Sequence, residues 1–165
     1  MRNTENKRLQ CIRRWTVFFM IGLALSGITA FPIETEINIY DRFFSNNHFI
    51  QEHFSTISGF LNQVSIAVHD TAKNYPFIFY GTDWLAFAHL LLAILFYGVY
   101  KDPVRNIWIV EFGMIACISV IPLAFICGPI RGIPLYWRII DSSFGQFGII
   151  PLWIMRRQIL YMQRI

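Results

Sequence analysis

The chain is short of charged residues and has no pair of cysteines with a functional spacing. Only 15% of its 165 residues are charged, whereas 55% are hydrophobic and the mean hydropathy is +0.46. This composition excludes an ordinary soluble domain of this length and makes a membrane protein the expected class. The net charge of +4 then reflects membrane topology, and we do not interpret it as a sign of nucleic-acid binding.

The three cysteines form no pair with a catalytic or metal-binding spacing. Cys11 lies in the basic N-terminal segment, and Cys117 and Cys127 lie in a long apolar run. The absence of a CxxC pair argues against a membrane thiol oxidoreductase and favours small buried hydrophobic side chains. The sequence also lacks an internal repeat and a pair of broken helices, which argues against a transporter built on repeats.

Four apolar segments are predicted to cross the membrane, at residues 15–33, 83–100, 107–127 and 139–155. A helix needs about 20 mostly apolar residues to cross a hydrocarbon core of roughly 30 Å, and the first three segments come close to that length. The fourth is weaker because it contains Asp141, Ser142, Ser143 and Gln146. Short loops make neighbouring spans antiparallel, so we expect an all-α, up-and-down four-helix bundle in which residues 1–165 form one membrane domain.

The first segment has a second interpretation. A basic stretch followed by an apolar run that ends near Ala30 resembles a secretory signal peptide. The run is long for such a peptide, and Pro32 and Glu34 continue it without a small-residue cleavage site. We therefore expect this segment to remain as the first span.

Small residues are placed where neighbouring helices could approach closely. Gly22, Ser26 and Ala30 share a face of the first span, and Gly145 and Gly148 share a face of the fourth. At such positions the backbones of two membrane helices can come near each other. Both stripes are therefore predicted to be contact faces within the bundle.

Basic and acidic residues are distributed unequally between the two sides of the predicted membrane spans. If both termini are cytoplasmic, the Lys and Arg residues left on the outer side are Arg42, Lys73, Arg131 and Arg138. The acids follow the opposite trend, and those on the outer side are Glu34, Glu36, Asp41, Glu52, Asp70, Asp83 and Asp141. Because retained positive charge marks the cytoplasmic side, the sequence predicts a multi-pass protein with both termini in the cytoplasm.

The long segment between the first two spans contains an amphipathic pattern. Apolar residues recur in alternating steps of four and three, at Ile50, Phe54, Ile57, Leu61, Val64 and Val68. This pattern predicts an extracytoplasmic amphipathic helix over about residues 47–73, capped by Asn46 or Asn47 and ended by Asn74 and Pro76. We expect this helix to lie on the bundle as a lid, with the lipid interface and a partner helix as the alternatives.

Charged residues are predicted to form a polar layer near the outer membrane boundary. Counting 1.5 Å per residue along antiparallel helices places Glu34, Asp83 and Asp141 at that boundary, together with Arg131 and Arg138. Arg138 and Asp141 are three residues apart and can pair on one helix face. This layer is the candidate site.

His89 is the deepest group in this candidate site. It lies roughly 9 Å below the boundary when counted at helical rise. It shares a helix face with Ala86 and Ala93, whereas Asp83 is turned about 120° away, so its partner is expected to come from another helix or from water. An ionisable residue in a span is a functional candidate, because burying it unpaired is costly. The alternative is a neutral imidazole that donates one structural hydrogen bond.

Haem and metal cofactors are not expected. A bis-histidine haem would need a second histidine within a span, and the sequence has none. His48, His53 and His69, on or near the amphipathic segment, lack the spacing of a metal site. Toward the opposite face, Glu111 is predicted to form a structural ion pair at the cytoplasmic edge, with Arg105 nearby in sequence.

Several strings of this sequence resemble a group of uncharacterised bacterial four-span integral membrane proteins. They are YGTDWLAFAH, DPVRN, EFGM, GPIRGIP and WRIIDSSFG, with a weaker similarity at AFPIETE. The resemblance implies a bacterial inner membrane with a periplasmic or extracellular outer side, and it implies no activity. A looser architectural similarity is to EXPERA-type proteins, but no motif of theirs aligns with this chain residue by residue.

Two functional hypotheses follow. The leading one is an accessory or interaction subunit of a membrane assembly, whose partners are the lipid bilayer and either a membrane protein or a second copy. The alternative is a binding protein or enzyme with an outer-leaflet site for a lipid or a quinone-like ligand. His89 would then exchange a proton, the three acids of the polar layer would tune its pKa, and Arg131 or Arg138 would hold an anionic head group.

Overall fold

The computed structural model describes residues 2–45 and 55–163, and this part of the chain is helical without any strand. Its helices are α1 (Arg2–Ala30), α2 (Ile33–Ser45), α3 (Ser55–Asn74), a short 3-10 helix (Pro76–Phe79), α4 (Tyr80–Lys101), α5 (Ile107–Ile130) and α6 (Leu135–Gln163). For these residues the predicted all-α class is confirmed.

Three helical stretches are long and apolar enough to cross a membrane. They are Glu5–Ala30, Pro76–Lys101 and Ile107–Ile130, and they correspond to the first three predicted spans. α1 begins well before residue 15, because the polar and basic residues that precede the apolar run are good helix formers. α6 has 29 residues, like α1, but its polar residues leave it outside this apolar group.

The chain forms two compact units. Unit 1 consists of Met1–Gly22 and Leu92–Ile165, and unit 2 consists of Leu23–Leu91. α1 and α4 each contribute residues to both units. The single domain expected from the length and the lid position of the amphipathic segment both stay predictions.

In unit 1, α5 and α6 pack against each other as an antiparallel pair. Three contacts define their register, and they join Gly113 to Leu152, Cys117 to Gly145 and Gly128 to Arg138. Residue numbers fall along α6 as they rise along α5. The apolar helix α5 therefore has α6 beside it over most of its length.

The α5–α6 contact depends on glycine. A Cβ on Gly145 would overlap the carbonyl oxygen of Cys117, and a Cβ on Gly148 would lie 3.1 Å from the Cys117 Sγ. The prediction that these two glycines form a contact face is confirmed. A side chain at Gly145 would have to separate the two helices, because the backbone of α5 cannot move aside on its own.

The predicted small-residue stripe of α1 is not a contact face at Gly22, and Ser26 is exposed as well. A Cβ on Gly22 would meet nothing within 4 Å, so the expectation for this residue is wrong. The close approach occurs instead in unit 2 at Gly27, where a Cβ would lie 2.8 Å from the Ala86 carbonyl oxygen and 3.1 Å from Leu90 Cγ. The two residues lie on different sides of α1, since five residues correspond to about 140° of rotation.

All four helical segments of unit 1 contribute to its core. The rings of Phe19 and Phe96 lie 4.7 Å apart, and Thr16 donates a 2.8 Å hydrogen bond to the Ile12 carbonyl while lying 3.2 Å from Met155 Sδ. The fully buried large apolar side chains are Ile12, Phe96, Val99, Ile109, Val110, Leu152, Met155 and Ile159. Burial of each contributes roughly 1.5–3 kcal/mol wherever the alternative is exposure to water.

The DPVRN string is a hydrogen-bonded turn between α4 and α5. Asp102 Oδ1 accepts a 3.1 Å bond from the Arg105 backbone N–H. The Asn106 side-chain amide donates to the carbonyls of Gly98, at 3.0 Å, and of Asp102, at 2.9 Å. The last carbonyls of a helix lack partners within it, so Asn106 satisfies backbone groups at the end of α4.

The GPIRGIP string is a helix stop between α5 and α6. Gly132 has a φ of 70°, and its N–H donates to the Pro129 carbonyl at 3.1 Å, while the Ile133 N–H donates to the Gly128 carbonyl at 2.9 Å. These two bonds form a Schellman motif, which places glycine in the left-handed conformation just past the helix. The DPVRN and GPIRGIP strings are thus each explained by the turn that they form.

In unit 2, α2 packs against α3. The predicted apolar stripe of α3 is covered, with Leu61 and Val64 half-buried and Val68 buried, while Asn62 and Gln63 are exposed. α3 ends at Asn74, as predicted. Residues 47–54 of the predicted helix, with the Asn46 or Asn47 cap, lie outside the described residues.

α2 was not predicted, although its first turn carries ordinary helix-start signals. Pro32 precedes the helix, and Glu34 and Glu36 lie in its first turn. Proline fits the start of a helix, and acids there interact favourably with the free N–H groups.

Candidate functional site

The predicted polar layer is divided between the two units. Glu34, Asp83 and His89 belong to unit 2, whereas Arg131, Arg138 and Asp141 belong to unit 1. Within each unit, no hydrogen bond or ion pair joins the members of this set among the described residues. The two groups are therefore described separately.

His89 makes its hydrogen bond within its own helix. Its Nδ1 lies 2.8 Å from the Leu85 carbonyl oxygen, so this nitrogen carries the proton and the Nε2 of a neutral ring is an acceptor. The expectation that the partner comes from another helix or from water is wrong for Nδ1, since the ring reaches the carbonyl four residues earlier. Ala86 and Ala93 are buried, as expected for the inner face of α4.

The two acids of the polar layer that belong to unit 2, Asp83 and Glu34, form no hydrogen bond or ion pair with His89. Asp83 is half-buried and Glu34 is exposed. Neither carboxylate has a hydrogen bond or an ion pair with a described residue. The predicted grouping of His89 with these two acids is therefore not formed by contacts within unit 2.

Arg138 is turned toward α5 and away from Asp141. Its aliphatic stem fills the space beside Gly128, where a Cβ would overlap Arg138 Cδ and lie 2.7 Å from Cγ. The Arg138 Nε is buried and has no hydrogen-bond partner among the described residues. The predicted pairing of Arg138 with Asp141 is not formed, and Asp141 and Arg131 are both exposed.

Glu111 forms an ion pair with a residue far away in sequence. Arg156 Nε lies 2.9 Å from Glu111 Oε1, and the two side chains are 40% and 43% exposed. Arg105, the partner expected from sequence proximity, is not part of this pair. The α5–α6 register explains the choice, because it brings position 156 next to position 111.

Three arginines of unit 1 contact aromatic rings, and we call this group the arginine–aromatic layer. Its members are Arg8, Arg13, Arg157, Tyr100, Trp153 and Tyr161. Arg8 lies 4.6 Å from the Tyr161 ring centroid and bonds to Gln158 at 2.6 Å, and Arg13 lies 5.3 Å from the Tyr100 ring and bonds to its carbonyl at 3.2 Å. Such contacts hold the cations against the helices. Sequence spacing gave no signal for them.

The opposite side of α1 carries a groove of about 660 Å³. It is lined by Lys7, Gln10, Cys11, Arg14, Trp15 and Phe18, which recur every three or four residues along α1. Lys7 and Arg14 are exposed and have no hydrogen bond or ion pair with a described residue. This groove is therefore a basic surface that opens away from the core.

α6 carries a regular outward face, which we call the outer stripe. Its members are Ile139, Ser143, Gln146, Ile150 and Trp153, spaced by four and three residues. The three apolar members are 51–53% exposed. Gln146 is exposed as well, and its amide has no hydrogen-bond partner among the described residues.

Neither a metal centre nor a relative points to a function. In residues 2–45 and 55–163, no group of three or more His, Cys, Asp or Glu side chains is placed to hold a metal ion. Comparison of the chain with protein-family models, curated proteins and solved structures found no match. The function is therefore argued from the surfaces described above.

Proposed function

We propose that this protein is an interaction subunit of a membrane assembly and that the outer stripe of α6 binds a partner helix. The position of Gln146 carries the proposal. Gly145, its neighbour, contacts Cys117 and lies near Val120, and these two residues flank the middle of α5. Gln146 therefore lies at mid-depth of the helix pair, on the side that faces away from the core.

The proposal makes α6 the fourth span of a four-helix bundle. Because α6 lies beside the apolar helix α5 over most of its length, it would cross the same layer of the membrane as α5. The outward side chains of α6 support this reading, because Phe144 and Phe147 are 74% and 71% exposed. Two other polar side chains of α6 have partners: the buried Ser142 hydroxyl donates to the Ile139 carbonyl, and Arg156 is paired with Glu111.

An unpaired amide at this depth favours a protein neighbour over lipid. Hydrocarbon offers no hydrogen-bond partner, so a side-chain amide exposed to it is costly. Interhelical hydrogen bonds between polar side chains contribute about 1–2 kcal/mol in model membrane helices. The four-three spacing of the outer stripe is that of a helix seam, so the partner is a membrane helix with a hydrogen-bonding side chain at mid-depth.

We further propose a bacterial inner-membrane location with both termini in the cytoplasm. The arginine–aromatic layer would then lie at the cytoplasmic edge, which retained positive charge favours. Tyrosine and tryptophan are also enriched at the membrane boundary, where their rings are apolar and their polar groups reach water. In this orientation α2 and the amphipathic α3 are extracytoplasmic.

The alternative of a ligand site at His89 has less support. The ring bonds to its own helix at Leu85, and neither Asp83 nor Glu34 forms a hydrogen bond or an ion pair with it. A structural imidazole accounts for that geometry without a ligand. The interaction role rests instead on a polar group whose hydrogen-bonding capacity is unused.

Site-specific photo-crosslinking in native membranes tests the proposed interface. A benzophenone amino acid replaces Gln146 in one variant and Phe144 in the matched control, which lies at the same depth but about 160° away around α6. We expect irradiation at 146 to give one discrete protein adduct, and irradiation at 144 to give mainly lipid adducts. The mass of the adduct distinguishes a second copy from another protein.

The proposed interface would be wrong if position 146 gave no protein adduct, or if both positions gave the same adducts in equal yield. Gln146→Leu provides a second measurement. The crosslinking amino acid is placed at position 150, and the adduct yield is compared with and without this substitution. The substitution should weaken the affinity for the partner roughly five- to thirtyfold, as the loss of about 1–2 kcal/mol implies. The same crosslinker combined with Phe144→Leu should give the wild-type yield.

A further inference from the structure

We propose that the outward face of α1 binds the phosphate of an anionic phospholipid, with Lys7 and Arg14 as the cationic groups. This site is separate from the outer stripe of α6 and does not depend on a protein partner. It uses the groove lined by Lys7, Gln10, Cys11, Arg14, Trp15 and Phe18.

The contrast between neighbouring cations supports this assignment. Arg8 and Arg13 contact Tyr161 and Tyr100 and form hydrogen bonds inside unit 1. Lys7 and Arg14, next to them in sequence, have no such contacts with described residues and are exposed. The structure thus uses one pair of cations internally and leaves the other pair available on a single face.

The orientation of α1 separates these two roles. Ile12 and Thr16 are completely buried, and they mark the side of α1 that faces the core. Lys7 and Arg14 are two turns apart, about 10 Å along the axis, and share a line on the opposite side. A phosphate between them would be reached by the Arg14 guanidinium from one end, by Lys7 from the other and by the Gln10 amide in the middle.

Below Arg14 the same face changes from basic to aromatic and apolar. Trp15 and Phe18 pack edge to face with ring centroids 5.8 Å apart, and Phe18 and Ile21 are 64% and 53% exposed. A lipid has this same order of groups, with an anionic head group above an acyl chain. Free phosphate would use only the upper part of the groove, so the proposal specifies a phospholipid.

The charge on the ligand follows from the groups present. Two cations with no anionic partner among the described residues would attract an anionic lipid in preference to a zwitterionic one. The groove has no acidic member. Phosphatidylglycerol is therefore the suitable probe, and phosphatidylcholine is the comparison.

Native mass spectrometry of the full chain in detergent micelles containing equal amounts of the two lipids measures this preference. We expect wild type to retain phosphatidylglycerol over phosphatidylcholine. Combining Lys7→Gln with Arg14→Gln should lower the apparent affinity for phosphatidylglycerol roughly tenfold or more. Combining Lys101→Gln with Arg105→Gln removes the same charge from exposed positions outside the groove and should change it less than twofold.

Equal losses in the two double variants would overturn the site in favour of a general charge effect, and so would equal retention of both lipids by wild type. The single variants Lys7→Gln and Arg14→Gln should each give a partial loss with unchanged thermal unfolding. A loss of lipid that occurred only together with unfolding would also contradict the proposal. Addition of glycerol phosphate should not displace the lipid, whereas displacement would assign the groove to free phosphate.

Discussion

The two units bury their side chains to very different degrees. Among the described residues, unit 1 contains all eight fully buried large apolar side chains, whereas the buried side chains of unit 2 are Val68, Ser65 and Ala86, of which Val68 is still 9% exposed. Unit 1 also holds the Glu111–Arg156 ion pair and the arginine–aromatic layer. Cores with many buried apolar contacts open rarely, and regions with few open more easily, so we expect unit 1 to be the more stable part.

The described charged residues differ in whether their side chains have partners. Sequence reasoning placed the candidate site in a polar layer of three acids, two arginines and His89, and half of these six residues belong to unit 2. The contacts instead show that four cations of unit 1 are engaged, namely Arg8, Arg13, Arg156 and Arg157. Lys7 and Arg14 remain unpartnered together on the outward face of α1, and the Gln146 amide remains unpartnered on α6. Unpartnered groups on otherwise well-packed helices are better evidence of a binding role than a cluster of charges inferred from depth.

The largest effect is expected at the glycine contact of unit 1. Gly145→Val would drive a side chain into the backbone of α5 at Cys117 and should lower the free energy of unfolding by about 3 kcal/mol. Gly22→Ala, in the same unit but with open space around the added Cβ, should be neutral or slightly stabilising. Unfolding in mixed micelles measures both variants, and an equal effect of the two would show that the α5–α6 register is wrong.

A smaller effect is expected at the corresponding contact of unit 2. The Cβ of Gly27→Ala would approach the Ala86 carbonyl oxygen at 2.8 Å, which we expect to lower the free energy of unfolding by about 1–2 kcal/mol. The control is Gly59→Ala in α3, where a Cβ meets nothing within 4 Å. This substitution should raise the free energy of unfolding by up to about 1 kcal/mol. Thermal unfolding of both variants checks this. A larger loss of stability from the Gly27 variant than from the Gly145 variant would contradict the proposal that unit 1 is the more stable unit.

The ion pair of unit 1 should contribute less than either glycine contact. Glu111 and Arg156 are both well over one third exposed, and exposed pairs usually contribute about 0–1 kcal/mol. A double-mutant cycle with Glu111→Gln and Arg156→Gln should therefore give a coupling below about 1 kcal/mol that falls at high salt. A coupling of several kcal/mol would mean that the pair is buried in the membrane-embedded protein.

The smallest effect concerns the contact between α2 and α3. His69 Nε2 lies 3.0 Å from Asn38 Oδ1, in an exposed position. A double-mutant cycle with His69→Ala and Asn38→Ala should give a coupling of about 0.5 kcal/mol, the low end for a hydrogen bond. Asn62→Ala on the uncovered side of α3 is the control for His69→Ala and should show no coupling with Asn38→Ala.

Much of the helical framework could be predicted because its signals are local. The apolar runs located three of the helices, and Asn74 correctly marked the end of α3. The contact face at Gly145 and Gly148 was also visible, since small residues at helical spacing allow close approach. What was missed within this framework was α2, whose start signals are ordinary but whose apolar stripe is short.

Contacts between distant parts of the chain could not be predicted from one sequence. Glu111 was assigned to Arg105 because the two are near in sequence, while its partner Arg156 is identified only by the register of two antiparallel helices. Arg138 was expected to pair with Asp141, but Gly128 on α5 offers space for its stem. In each case the choice depends on which helix lies alongside, and sequence spacing does not encode that.

The central claim is that α6 is a fourth span. The outer stripe can bind a membrane helix through Gln146 only if Gln146 lies within the membrane. Labelling of single cysteines by a membrane-impermeant maleimide tests this in a variant with Cys11, Cys117 and Cys127 replaced by Ala. We expect Gly132→Cys and Asn74→Cys to be labelled in intact cells, and Asn6→Cys and Gln163→Cys only after permeabilisation. Labelling of Gln163→Cys together with Gly132→Cys in intact cells would place both ends of α6 on one side and contradict the account.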